Sequence, residues 1–263
     1  MKTYIHTIIA IIKINISQLI TYRMSFINGT FISFGWAVFQ LSWMFLMTSS
    51  VKKVFGWSRD EMMLLSACYV VVIGVFHFLF SRNFENLSEI IVYGKLDMIL
   101  IKPLDTQFLL SFRNLNFYAF PRVLLGLVCM SIYLTKIGVH PTIFQIGAFC
   151  LLSICGLITL YSFWFFFVTL LIWFPTISNI VGLLYSVNGV ARYPHEAISV
   201  GLKESILLFL LPLTFTIATP TRILFGRFFA GEVGMLLIIT VIFFLVSRMF
   251  WLYSLRHYSS AGG

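Results

Sequence analysis

Residues 24–47 contain no charged side chain. Coiled as an α-helix, this stretch is about 36 Å long, enough to cross the roughly 30 Å hydrocarbon core of a bilayer. Comparable apolar runs occupy residues 62–81, 117–135, 142–173, 176–190 and 233–253. Only 10% of the chain is charged and 60% is hydrophobic, whereas a soluble domain carries about 25% charged residues. So little charge cannot cover a surface facing water. The expected architecture is all-α, a polytopic bundle of six membrane spans forming a single domain over residues 1–263.

Residues 1–23 carry Lys2, Lys13 and Arg23 and place Ile5, Ile8, Ile9, Ile12, Ile16, Leu19 and Ile20 at helical spacing. Lys13, Asn15 and Gln18 interrupt them, so this segment suits a helix lying in the interface better than a span. It lacks a small-residue cleavage site and is kept in the mature chain. Residues 142–173 and 176–190 read as two antiparallel spans joined by a tight turn at Trp173, Phe174 and Pro175. Residues 205–219 are too few to cross, and Pro212 lies near their middle. They are expected to form a pair of half-helices, a re-entrant segment within an outer region spanning residues 191–231.

The formal charge of +9 comes from single Lys and Arg residues between apolar runs, with no basic stretch interleaved with aromatics. It implies contact with anionic headgroups and not with nucleic acid. Cys68, Cys129, Cys150 and Cys155 lie inside apolar segments without metal-ligand spacing and read as small hydrophobes. No P-loop, HExxH or GxSxG motif is present. The six spans hold no Asp or Glu, which disfavours a proton- or sodium-driven carrier. His77 reads as a histidine facing other helices, and His195-Glu196 as a solvated pair. Arg122 and Arg248 are close enough to span ends to snorkel inward. With both termini inside, Lys and Arg divide eight to eight between the two sides, and those two arginines tip the balance.

The longest polar connection, residues 82–116, contains IVYGKLDMILIKPLDTQFLLS. Its Gly94, Leu96-Asp97, apolar Ile99 to Ile101 and Pro103 resemble the cytoplasmic loop of ABC exporter permeases of the type-2 class. ARYPHEAI (191–198), LPLTFTIATPTRILFG (211–226) and RHYSSAG (256–262) resemble a bacterial subfamily of these permeases. The resemblance implies a multi-pass plasma-membrane subunit with cytoplasmic termini. It also implies an interfacial N-terminal helix and a pairing with a second copy or a related permease. Two separate ATPase subunits would bind ATP and Mg, leaving this chain without a cofactor or catalytic site of its own. The expected cargo is amphiphilic or lipid-like. The residues expected to contact the ATPase are Glu89, Tyr93, Gly94, Lys95, Leu96, Asp97, Lys102 and Pro103. Gly94 is expected to cap one short helix, and Pro103 to stop the next. The competing reading, an intramembrane enzyme acting on lipid or peptide, has only His77 and scattered serines to draw on.

Overall fold

The computed structural model describes residues 2–50, 53–177, 179–199 and 204–258. Lys52, Lys203 and the last residues of RHYSSAG lie outside them. In chain order the helices are α1 (Lys2–Thr21), α2 (Arg23–Ser49), α3 (Arg59–Phe76), α4 (Arg82–Val92), α5 (Asp97–Leu100), α6 (Thr106–Phe112), α7 (Phe120–Ile137), α8 (Ile143–Thr169), α9 (Ile180–Asn188), α10 (His195–Ser199), α11 (Glu204–Leu224) and α12 (Ala230–His257). A hairpin of β1 (Lys53–Val54) and β2 (Trp57–Ser58) joins α2 to α3, with Lys53 opposite Ser58 and Val54 opposite Trp57.

By length and composition, six described helical stretches can cross a membrane: Tyr4–Thr21, Arg23–Ser49, Arg59–Val92, Phe117–Ile137, Ile143–Ile172 and Ala230–His257. The fold is therefore the all-α bundle expected, but the set differs in two places. Tyr4–Thr21 belongs to it, and residues 176–190 do not. The chain does turn after Ile172, where the Trp173 amide donates to Leu170. However, α9 and the 3-10 turn Gly189–Arg192 that follows supply only a short apolar helix. The apolar run of the sequence continues where the backbone has already left the helix.

α3 is the central helix, covered on almost all sides. It meets α7 closely because both carry glycine at the crossing: a Cβ on Gly74 would strike Val123, and one on Gly126 would strike Val71. Small residues of this kind let helices approach where lipid provides no hydrophobic drive. α2 buries only one stripe, Ala37, Leu41, Met44 and Thr48, and leaves Phe31, Trp36 and Phe39 exposed. α12 likewise buries Leu236, Thr240, Ser247, Trp251 and Ser254 along one face. It runs parallel to α8: Thr159 bonds Thr240 at 2.9 Å, Phe163 meets Phe243, and the Trp173 indole donates to Ser254.

α11 runs antiparallel to α8. Leu152 packs with Phe215 and Ile223, and Gly156 lies against the Thr216 carbonyl. Here an expectation fails: α11 is one helix passing through Pro212 and Pro220, not two half-helices meeting at Pro212. Among apolar neighbours an unwound segment would leave further peptide groups unpaired at high cost, so the helix continues past the one hydrogen bond each proline removes.

The elements share common levels. At one end lie Ser58, Glu61, Lys136, Thr142, Arg222 and Glu232. About 27 Å along α8 and α12 from their first residues stand Tyr161 and Arg248, and both meet α6 there. α6 also touches the end of the α3 stretch through Phe80 and Phe112. It therefore packs against α12, α8 and Phe80 of the α3 stretch at this level, with α8 and α12 continuing past it to Thr169 and His257. α1 lies beside it: the Tyr4 ring meets Phe108, and Asn15 bonds both the Arg113 carbonyl and the Leu115 amide.

Candidate functional site

Beyond that level the chain builds a compact projecting unit from residues 82–116. Between α3 and α4 the helix widens into a π turn, His77–Ser81, where the Ser81 hydroxyl donates to the His77 carbonyl. α4 then buries Phe84, Leu87, Ser88 and Ile91 on one side, the i, i+3, i+4, i+7 spacing of an amphipathic helix. Phe84 packs among the rings of Phe76, Tyr161, Trp164 and Phe165. Asn83 clasps the two ends of the unit together: it donates to the Asn114 carbonyl at 2.7 Å and accepts from the Asn114 amide at 2.8 Å. Glu85 accepts from the Tyr185 hydroxyl at 2.6 Å, which ties α4 to α9.

Gly94 ends α4 with φ +64. Its amide donates to Ile91, and the Lys95 amide donates to Ile90. These are the two bonds of a Schellman cap, which needs the left-handed conformation that glycine adopts without steric cost. α5 follows and stops before Pro103, as expected. Leu96 is fully buried and Ile99 nearly so, so the return helix is pinned from beneath. Leu96 is thus an anchor and not part of a contact surface. Asp97 is half-buried, close enough to Tyr258 for its charge to add to burial in pushing that hydroxyl up.

The other expected contact residues lie at the surface. Glu89, Tyr93, Lys95, Lys102 and Pro103 are exposed, and Gly94 is half-buried between them. The Lys95 ammonium sits 5.5 Å from the Tyr93 ring centre. Among these residues stand Met98 and Ile101, 71% and 84% exposed, which residue-by-residue reading did not single out as contacts. Their signal was present in the run from Met98 to Ile101, since a single helical turn can bury only part of four consecutive apolar residues.

A polar network braces this unit to the bundle. Asp105 caps α6 by accepting from the Phe108 amide, and its carboxylate takes Arg248 at 2.6 Å. Arg248 also donates to Gln107 at 2.8 Å, and Gln107 donates to the Tyr161 hydroxyl, 2.6 Å from Ser111. Burial pushes the Asp105 carboxyl up. The hydrogen bond and charge of Arg248, with the Phe108 and Gln107 amides, outweigh burial and hold it below the usual carboxylate value. Arg248 thus reaches toward α6, nine residues before α12 ends at His257.

Arg122 does not reach the interface. It is 5% exposed, lies against Gly74 and donates to Gln40 at 3.3 Å, because Gly74 leaves room for it to turn into the bundle. His77 faces its neighbours, stacking 5.4 Å from Tyr185. No cluster of metal-ligating side chains occurs among the described residues.

At the opposite end, Arg222 ion-pairs with both Glu196 and Glu232 beneath the rings of Trp57 and Phe229. His195 stacks on Phe215 at 4.8 Å and lies beside both carboxylates. His195-Glu196 is therefore a packed pair and not a solvated one. Because Glu196 and Arg222 clasp each other, the chain between them returns to the end it left. Glu61 and Ser58 form a capping box at the start of α3, and Glu61 also holds Arg227 at 2.6 Å.

The chain is thus a bundle of membrane-length helices with a braced polar unit at one end. The family model described as ABC-2 family transporter protein matches residues 34–262, and the chain belongs to that family. It is accordingly a multi-pass membrane protein and the permease partner of ATP-binding cassette ATPase subunits. No curated protein and no solved structure matches the chain.

Proposed function

We propose that this chain is the permease of an exporter that moves an amphiphilic or lipid-like molecule across the bacterial plasma membrane, driven by ATP hydrolysed on separate subunits. Two permeases, identical or related, would share two ATPases, with both termini and the α4–α5 unit in the cytoplasm. The observation carrying this reading is the tip of that unit. Tyr93, Met98 and Ile101 are exposed aromatic and apolar side chains within twelve residues of the exposed charges Glu89, Lys95 and Lys102, and exposed apolar patches with polar rims mark protein contacts. The tip is rigidly backed by Leu96, Ile99 and the Asn83–Asn114 clasp, so force applied there reaches α3, α8 and α12. The apolar runs 24–47, 62–81, 117–135, 142–173, 176–190 and 233–253 contain no Asp or Glu for ion coupling, so hydrolysis on a partner is the energy source that fits.

The test is to substitute Ile101→Asp and Met98→Asp, and separately to reverse Glu89 or Asp97 to Lys, then to purify each variant with the ATPase. The tip variants should lose copurifying ATPase and transport while the permease keeps its melting temperature. Asp97→Lys should act more weakly, since Asp97 is half-buried. Full ATPase retention and transport in all four variants would place the interface elsewhere.

A further inference from the structure

Between α1 and the α5–α6 region lies a cavity of about 390 Å³. Ile11 and Ile14 of α1 and Ile99 and Leu109 opposite supply its apolar walls, and Lys102 and Arg113 supply its cations. No acidic side chain lines it. Neither cation has an ion-pair partner among the described residues. Asn15 holds the cavity open at one end by bonding the Arg113 carbonyl and the Leu115 amide. That places the Arg113 backbone against α1 while its side chain stays exposed.

Depth identifies the occupant. α6 meets the bundle about 27 Å from the first residues of α8 and α12, at the edge of a hydrocarbon core roughly 30 Å thick. α1 lies beside it and exposes Ile5, Ile8, Ile9, Ile12, Ile16 and Ile20, as a helix lying at the acyl–headgroup boundary does. The cavity therefore opens at headgroup level, with apolar walls for the upper acyl chain and two unpaired cations for a phosphate. Basic pockets between helices on the cytoplasmic side take anionic headgroups, and a volume of this order suits a headgroup with the first part of its chains.

We infer that this cavity binds one anionic phospholipid from the inner leaflet, its phosphate between Lys102 and Arg113. The inference rests on α1 lying at the interface and takes its leaflet from the orientation proposed above; its test needs no ATPase, so it stands or falls separately from the coupling reading. The full-length permease is purified in zwitterionic phosphatidylcholine, and phosphatidylglycerol is titrated in, with melting temperature and lipid adducts by native mass spectrometry as readouts. Wild type should retain phosphatidylglycerol at least about tenfold better than phosphatidylcholine and gain melting temperature with it. Arg113→Gln with Lys102→Gln should lose both effects, whereas Lys53→Gln at the far end should keep them. Ile14→Trp, which fills the cavity and spares the cations, should also lose them. Each variant's melting temperature in phosphatidylcholine alone separates lost binding from lost folding. Equal retention of the two lipids, or unchanged retention in the filled and uncharged variants, overturns the site. Equal stabilisation by inorganic phosphate would make it a plain anion site and overturn the lipid assignment.

Discussion

Gly94 carries the turn of the projecting unit in a conformation that costs other residues about 1–2 kcal/mol. Gly94→Ala should therefore lower permease stability by about that amount. Gly94→Val, stiffer still, should also lower copurification with the ATPase, measured beside the melting temperature. Gly156 poses a packing constraint and not a conformational one. A Cβ there meets the Thr216 carbonyl, and overpacking of this kind costs about 1–3 kcal/mol, so Gly156→Ala should melt earlier. His195 gives a pH-dependent case. Burial lowers its affinity for a proton, Glu196 raises it, Arg222 lowers it and Glu232 raises it, and the net shift is downward from the ordinary 6.5. A base whose folded value is depressed adds stability above its unfolded value, and that stability is lost as pH falls. Wild type should thus lose melting temperature as pH drops below about 6.5. His195→Phe, which keeps the stack on Phe215, should flatten the profile in that window.

At the scale of elements, the Asp105–Arg248 pair joins the cap of α6 to α12. Both side chains are about a third exposed, and such pairs contribute only about 0.2–1 kcal/mol to stability. Asp105→Asn should therefore barely change the melting temperature. If α6 transmits movement from the tip to α12, the same change should uncouple ATP hydrolysis from transport, and the double exchange Asp105→Arg with Arg248→Asp should restore part of it. Equal coupling in single and double variants would leave the pair a static brace. α11 teaches a related point about elements. Pro212 reads in sequence as a breaker, yet the helix continues, because the environment and not the residue decides how much a missing amide matters.

For the whole molecule, the two ends make opposite labelling predictions. After the four native cysteines are replaced, single cysteines at Lys53 and Arg59 should react with an impermeant reagent in intact cells. Cysteines at Lys95 and Lys102 should react only after lysis. Labelling at Lys95 in intact cells would invert the orientation. Glu196 and Arg222, clasped at one end, should label from one side when each is replaced in a background that keeps Glu232.

Charge-free runs, Pro103 and Gly94 determined from the sequence alone that this chain is a helical membrane bundle, and where its polar unit lies. Those features are local: a bilayer rejects charge wherever it stands, and a left-handed cap depends on one residue and the turn before it. Only the tertiary structure decided that Leu96 faces inward while Met98 and Ile101 face outward, because a four-residue helix has no periodicity to read. Only packing decided that Arg122 turns into the bundle over Gly74, that Arg222 gathers two carboxylates from α10 and α12, and that α1 and α6 enclose a basic cavity. Each of these joins residues distant in the chain, and which of several possible neighbours a side chain meets is settled by helix crossings that no single stretch encodes.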